Sequence, residues 1–308
     1  MRQLQGCPVC RSDYLTYHYT GRTTRNPIDP ATWNVWQCER CNHRFLNPQP
    51  TWEELRDYYH EQYKAYDPSH GLESDFDAVV QRARECGEYR HVSIRPGMRV
   101  LDVGCGGGSF LRVARELGAK VEGVEPSTVA AQRACQYGLS VFKGTLEQYA
   151  GQVGSDNLFD LVTFSHVIEH VPDPIETLAT AGGLLNENGM IWVKVPNGDC
   201  RFARALGWRW HSTDLPLHLM HFSLTSIRVT AEHAGLSVRR LYTYSLPRAV
   251  GSSIILMLKH RWMIPARVGR RLVWAGYIAR KAVELDRKSV GEAIIAELIR
   301  EGSLGTAA

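Results

Sequence analysis

No stretch of this 308-residue chain is apolar enough to cross a bilayer: the longest aliphatic run, 254-IILML-258, falls far short of the about 20 residues a spanning helix needs. No leader is expected either, because Met1-Arg2-Gln3-Leu4-Gln5 runs straight into a cysteine motif without an apolar segment. The chain has no internal repeat and no low-complexity tract, which sets aside solenoid and disordered classes. Neither charge dominates: 36 Lys and Arg face 32 Asp and Glu, and a net +4 does not by itself imply nucleic acid. With 44% hydrophobic and 22% charged residues, the chain has the balance of a globular protein with a sizeable core. A cytoplasmic location is expected, where thiols stay reduced, so the eight cysteines read as metal ligands and free thiols rather than disulfides.

The first fifty residues are rich in Cys, Pro, Asn, Trp and Tyr without a long periodic element, which predicts a small loop-rich module. At 51-TWEELRDYYHEQY-63 the text changes: Thr51 is an N-cap, Glu54 its capping-box partner, and helical spacing follows. A second helix is expected from Phe76 to Val92, before Pro96-Gly97. From Arg99, short apolar strands at 100–104, 121–125, 140–144, 160–165 and 190–196 alternate with helices near 108–117, 127–137 and 174–185. Such alternation predicts an α/β fold with a doubly wound, Rossmann-like, mostly parallel sheet. A helix at 224–234, a strand at 237–245 and a tail at 292–299, readable as strand or helix, complete the pattern.

Gly104, Gly106 and Gly108 form G-x-G-x-G directly after the first of these strands, with Ser109 where the dinucleotide fingerprint has its third glycine. The first two glycines allow a tight strand-to-helix turn and close backbone approach. Glu125 lies 21 residues beyond Gly104 at the end of the second strand, where a carboxylate accepts ribose hydroxyls. A nucleoside-containing cofactor is therefore expected; the alternative is a structural turn with a surface Glu.

At these residues the chain resembles a known family. LDVGCGGG with VEGVEP is similar to the class I S-adenosylmethionine-dependent methyltransferases, whose first motif carries an acid two residues before the first glycine, here Asp102. The resemblance spans roughly residues 97–245. It implies S-adenosylmethionine as cofactor, with the methionine moiety beside Asp102 and the glycines, the ribose on Glu125, and the adenine near Thr145, Leu146 and Glu147. The segment 160-DLVTFSHVIEHVPDP-174 resembles the run after the fourth strand of ubiquinone-biosynthesis-like O-methyltransferases.

Cys7-Pro-Val-Cys10 and Cys38-Glu-Arg-Cys41 are two C-x-x-C knuckles with 27 residues between them. Together they offer the four thiolates of a closed tetrahedral zinc site, which leaves no position for substrate and so reads as structural. His43 would be a fifth ligand and is left out. The layout, followed by FLNPQPTWEEL and a Tyr-rich helix, resembles the amino-terminal region of bacterial methyltransferases of sugars and natural products. That resemblance implies a cover over the substrate site, with Tyr58, Tyr59, Tyr63 and Tyr66 lining a pocket; ordinary helix packing is the other reading.

Methyl transfer from a sulfonium is an in-line displacement, so the protein has to orient the acceptor and take its proton. Ligands of open α/β sheets bind at the carboxyl ends of the strands, and two histidine clusters belong there. The first is His166, Glu169 and His170, in which a His near its ordinary pKa could act as base with Glu169 orienting it, His170 being the first choice. Ubiquinone-type enzymes carry E-x-x-E-H here, associated with a divalent metal, whereas His166 replaces the first acid and suits oxygen-preferring Mg²⁺ poorly. The rival reading is that Glu169-His170 merely shapes the turn before Pro172. The second cluster, 208-WRWHSTDLPLHLMHFS-223, offers Trp208 and Trp210 for stacking and His218 and His221 at a spacing that could share a helical face.

Residues 248–288 carry ten Lys and Arg against two Asp and Glu. Val268, Leu272, Ala275, Ala279 and Ala282 fall on one helical stripe, with Arg267, Arg270 and Arg271 near its start. A helical hairpin packed on the body or on a second subunit, a peripheral membrane contact and a phosphate-binding surface are the three readings of this insert. The expected organisation is a zinc module over 1–50, a helical lid segment over 51–96, a cofactor-binding methyltransferase domain over 97–245, and a basic insert with the last strand over 246–308. The expected activity is methylation of oxygen or carbon on a small molecule such as a sugar, nucleotide-sugar or specialised metabolite. An RNA methyltransferase and a zinc-ribbon binding module on an inactive fold are the alternatives; nucleic acid is not the expected partner, and a homodimer is open.

Overall fold

The computed structural model describes residues 1–24, 29–55, 58, 67, 69, 75–153, 158–266, 268 and 275–302. Tyr59, Tyr63 and Tyr66, like Arg267, Arg270, Arg271 and Leu272, lie outside the described residues. The amino-terminal region is more regular than its composition suggests. Strand β1 (Leu15–Arg22) pairs antiparallel with β2 (Thr32–Cys38), and β2 with β3 (Arg44–Leu46). The signal for β2 is present as alternation: Trp33, Val35 and Cys38 point inward and are buried, while Thr32 and Asn34 are exposed. Gly21 in β1 is a matter of clearance, since a Cβ there would meet the Trp208 side chain at 2.5 Å.

After the single turn α1 (Trp52–Leu55), α2 (Phe76–Cys86) is capped by Asp75 and stops at Gly87, whose φ of 69° is the left-handed C-cap glycine favours. The helix expected to reach Val92 therefore ends six residues earlier, and the chain turns back as the hairpin β4 (Glu88–Tyr89) and β5 (Val92–Ser93). Then follow β6 (Arg99–Val103), α3 (Ser109–Glu116), β7 (Lys120–Glu125), α4 (Thr128–Cys135), β8 (Ser140–Lys143), α5 (Leu146–Ala150), β9 (Phe159–Ser165), α6 (Pro174–Gly183) and β10 (Leu185–Pro196). A short α7 (Arg201–Leu206) with a 3₁₀ turn at Gly207–Arg209, β11 (Met220–His221), α8 (Leu224–His233), β12 (Leu236–Tyr244), α9 (Pro247–Trp262), α10 (Ala275–Arg287) and β13 (Ala293–Arg300) complete the described elements.

The main sheet has the order β12-β13-β10-β9-β6-β7-β8. The five strands β10, β9, β6, β7 and β8 are parallel, and β13 runs antiparallel between β12 and β10. The tail thus resolves as a strand, and residues 246–308 supply a central member of the sheet rather than an appendage. Alternation along each strand feeds two cores. Leu101, Val103, Val162, Phe164, Val193 and Val195 pack with α5, α6 and α8, whereas Val100, Leu161, Trp192 and Ile295 pack with α2, α3 and α4. The chain winds outward from β6 through β7 to β8, then returns to β9 on the other side. The order therefore reverses between β6 and β9, and a crevice opens beyond their carboxyl ends.

The amino-terminal sheet does not stand apart. β11 adds to it in the order β1-β2-β3-β11, pairing Met220 with Phe45 and His221 with Arg44. In the basic insert, α9 and α10 pack on α7 through Val250, Ile254, Ala282, Leu285, Phe202 and Trp210. The inward face of α10 is Ile278, Ala282 and Leu285; of the expected stripe Ala282 is buried, while Ala279 is exposed and Ile278 takes its place. No described helix is long and apolar enough to cross a membrane.

Candidate active site

The crevice between β6 and β9 receives the glycine loop. Gly104, Gly106 and Gly108 adopt φ of 66°, 54° and 81°, conformations that side chains resist, and a Cβ on Gly104 would come within 2.6 Å of Val167. The loop leads into the amino terminus of α3 and is held by its own N–H groups: Gly104 and Cys105 donate to Val124 O, and Gly108 to Cys105 O. Glu125, buried at the end of β7, braces the loop: its two oxygens accept from Gly106 N–H and Ser127 N–H, each at 2.8 Å. Each oxygen keeps a second lone pair for a ligand hydroxyl.

Asp102 is buried at the same strand end, and Thr163 Oγ1 of β9 donates to its Oδ1 at 2.7 Å. Burial raises the Asp102 carboxyl from 3.8 to about 7, against the opposing Thr163 hydrogen bond and the Arg90 charge. A buried carboxyl held this far above its ordinary value beside a glycine loop is a functional signature. Thr145 caps α5 in a capping box with Gln148, Leu146 is buried, and Glu147 accepts from Thr177 at 2.8 Å. Two buried acids and a cradle of left-handed glycines fit the ribose, sulfonium and backbone-facing parts of S-adenosylmethionine.

Beyond β9 the chain turns sharply. His166 is held at φ 60°, and its Nδ1 lies 3.3 Å from Glu169 Oε1. Glu169 is 1% exposed; burial alone would raise its carboxyl, but His166, His170 and His218 outweigh it and the net shift is downward. His170 donates from Nδ1 to the Leu217 carbonyl at 2.8 Å, and His218 from Nδ1 to the Ser212 carbonyl at 2.9 Å. A carbonyl can only accept, so each neutral imidazole carries its proton on Nδ1 and its lone pair on Nε2. His218 Nε2 stands 4.0 Å from Glu169 Oε1 and 3.8 Å from Asp214 Oδ2. One ligand atom from each of Glu169, His170 and His218 lies within 4.8 Å of the others, and Glu169 Oε2 is buried without a hydrogen-bond partner among the described residues. Acceptors converging in this way call for a cation among them, a proton or a nitrogen-preferring metal ion.

Four of the five expected catalytic residues, His166, Glu169, His170 and His218, are therefore brought together. His221 is not. The segment 214–223 is turns and a two-residue strand rather than a helix, and strand alternation turns His221 away from the cluster toward β3. Trp210 is 1% exposed and donates from Nε1 to Ser253 and Glu292, so it is core rather than a stacking platform. Asp214, Thr163 and Lys194 were not legible in advance. Lys194 sits on β10 with its ammonium lowered to about 8, first by burial and then by Arg90, and only the sheet register reveals it.

The four cysteines of the two knuckles also converge. Cys7 Sγ lies 3.6 Å from Cys41 Sγ and Cys10 Sγ 3.5 Å from Cys38 Sγ. A tetrahedron of sulfurs on Zn–S bonds of about 2.3 Å has edges of about 3.8 Å, so the spacing fits a metal and is far too long for a disulfide. The knuckles repeat one geometry: the residues after the second cysteine, Arg11 and Asn42, both take positive φ, and their N–H groups donate to Cys7 O and Cys38 O. His43 is fully buried against Phe45, Phe222 and Met220 and stays outside the sulfur set.

A family profile described as a methyltransferase domain matches residues 72–241. The ubiquinone biosynthesis O-methyltransferase of Pasteurella multocida (strain Pm70) is 35% identical over 114 residues, 33% of this chain and 47% of that protein. The enzyme of the same name from Burkholderia thailandensis is 28% identical over 148 residues, 47% of this chain and 62% of that protein. The chain spans about half the length of the curated relatives it matches. Among solved structures, the cyclopropane synthase MmaA2 from Mycobacterium tuberculosis superposes with a TM-score of 0.50 at 18% identity, over 81% of this chain and 98% of that one. At that identity the likeness concerns the fold alone.

Proposed function

The chain belongs to the methyltransferase domain family, and from that premise we propose that it transfers the methyl group of S-adenosylmethionine to an oxygen of a small hydroxylated molecule. The observation that carries the reading is the juxtaposition, at one sheet edge, of the Asp102–glycine loop–Glu125 cradle with the Glu169–His170–His218 cluster. The cofactor, when bound, supplies an already activated methyl group. Glu125 would hold the ribose beside the side-chain-free glycine loop, and Asp102 would face the sulfonium end. His170 Nε2, which carries the lone pair of the neutral ring, would take the acceptor's proton, while Glu169 orients the imidazoles and stabilises the charge that results. The zinc module is proposed as structural, holding the sheet that ends in β11 and so the position of His218.

The names of the curated relatives support O-methylation of a small molecule, without fixing which one. The test is label transfer from methyl-labelled S-adenosylmethionine to a panel of phenols, catechols and sugars, with RNA as a parallel acceptor. Transfer to hydroxyl oxygen is expected. Transfer to RNA alone, or no S-adenosylmethionine binding by calorimetry, overturns the proposal.

A further inference from the structure

A cavity of about 260 Å³ lies between the amino-terminal sheet and the loops beyond β10. It is distinct from the glycine-loop crevice and is walled in part by His18, Tyr19, Arg44, Arg204 and His221. Its charge is unbalanced. Arg44 and Arg204 both turn to one carboxylate, Asp199, at 2.9 and 3.8 Å, so two guanidinium groups share one anion. Arg44 is fixed as well as charged: Nε donates to Gln37 at 3.0 Å and Nη1 to the Gly198 carbonyl at 2.9 Å, which leaves two of its five N–H groups uncommitted.

The neutral groups on the wall are unused. His221 Nε2 is buried without a hydrogen-bond partner among the described residues, an arrangement that costs free energy unless something occupies the space in front of it. Burial drives the Tyr19 phenol up to about 12, so it stays protonated and able to donate. The same surroundings hold the His221 imidazole well below its usual value, first through burial and then through His218, His43, Arg44 and His18. Burial keeps that imidazole neutral, and the attraction for an anion comes from the Arg44 and Arg204 guanidinium groups.

We propose that this cavity binds an oxyanion, a phosphate or carboxylate group carried by the methyl acceptor, through Arg44, Arg204 and His221. Its role rests on the methyltransferase reading; its chemistry does not. Arg44 and His221 are cross-strand partners, and His218 lies three residues before His221 on the opposite side of the same segment. His218 is near enough to lower the His221 imidazole, so an acceptor anchored here by its anionic group would reach the Glu169–His170–His218 cluster by extending past the 218–221 segment. The acceptor class is then a hydroxylated acid or a phosphorylated hydroxy compound.

The test is calorimetric titration of the full chain with inorganic phosphate and, separately, acetate at constant ionic strength, with S-adenosylmethionine binding measured on every sample. Wild-type protein should bind at least one of the two anions, and Arg204→Ala should weaken that binding by about tenfold, the loss expected of one charge-assisted contact at a half-exposed site. Arg204 is 61% exposed, so this variant should fold even where a change at His221 does not. His221→Gln, where it binds S-adenosylmethionine normally, should also lose anion affinity. Preference for phosphate or for acetate assigns the anion to the phosphoryl or carboxyl class. Absence of anion binding in protein that binds S-adenosylmethionine, or equal affinity in wild type and Arg204→Ala, overturns the proposal. Failure to bind S-adenosylmethionine in the wild type would instead remove the methyltransferase reading and leave the anion result standing.

Discussion

Asp102 and His170 carry opposite electrostatic burdens. The folded Asp102 carboxyl sits at about 7 against 3.8 when unfolded, so the native state holds its proton longer. Stability contributed by that proton is complete below about 4 and is lost as the pH rises toward 7, by up to a few kcal/mol. Asp102→Asn should therefore flatten the melting temperature between pH 5 and pH 8 while weakening S-adenosylmethionine binding. A variant whose melting profile keeps the wild-type slope would show that another group is responsible. The His170 imidazole is lowered to about 4, by burial first and His218 second, rather than near its ordinary value, so it is neutral throughout the neutral range but a weaker base than an exposed histidine. Turnover is expected to persist down to about pH 5 rather than fall away near the ordinary histidine value of about 6.5. His170→Ala should cut turnover by roughly 10²–10⁴-fold with cofactor affinity unchanged. Loss of affinity with normal turnover per bound cofactor would make His170 scaffold.

At the scale of elements, the motif-bearing segments were legible because motif, strand and helix cap coincide. Gly104 to Glu125 spells out strand, turn, helix and acid, and each falls within two residues of its expected place. Residues 1–50 were read as loop because the cysteines and prolines masked the alternation of Trp33 and Val35 against Asn34 and Thr32. Gly87 was the overlooked stop for α2. The partnership of β3 with β11 joins residues 175 or more positions apart and has no local signal; its consequence can be tested. About one zinc per chain is expected in protein purified without added metal. Cys38→Ser should lose it and loosen the β1-β2-β3-β11 sheet while leaving the parallel sheet folded. Because β11 follows His218, the variant should also lose turnover at intact S-adenosylmethionine affinity. Metal-free wild-type protein with full activity would refute the structural role.

On the scale of the whole molecule, the insert is a satellite and the strand after it is not. Tyr244 at the end of β12 pairs with Ala293 at the start of β13, so the chain leaves and rejoins the sheet at neighbouring points. Truncation after residue 245 removes β13 from between β12 and β10 and should abolish folding. Replacing 246–291 by a short turn keeps all seven strands. It exposes Trp210, Phe202 and Leu206, which pack against Val250, Ile254, Ala282 and Leu285, and it strips Ser253 from the buried Glu292. Each aliphatic side chain lost from that cluster withdraws about 1.5–3 kcal/mol of burial, so the melting temperature should drop markedly. The glycine loop, Asp102 and Glu125 lie on other strands, so S-adenosylmethionine affinity should survive the excision. Anion binding should weaken by at least the roughly tenfold expected of Arg204→Ala, because Arg204 is carried on α7, which loses its packing partner. Calorimetry of the excised protein with both ligands checks the division. Loss of cofactor binding along with anion binding would show that the insert supports the whole sheet rather than the wall of one cavity.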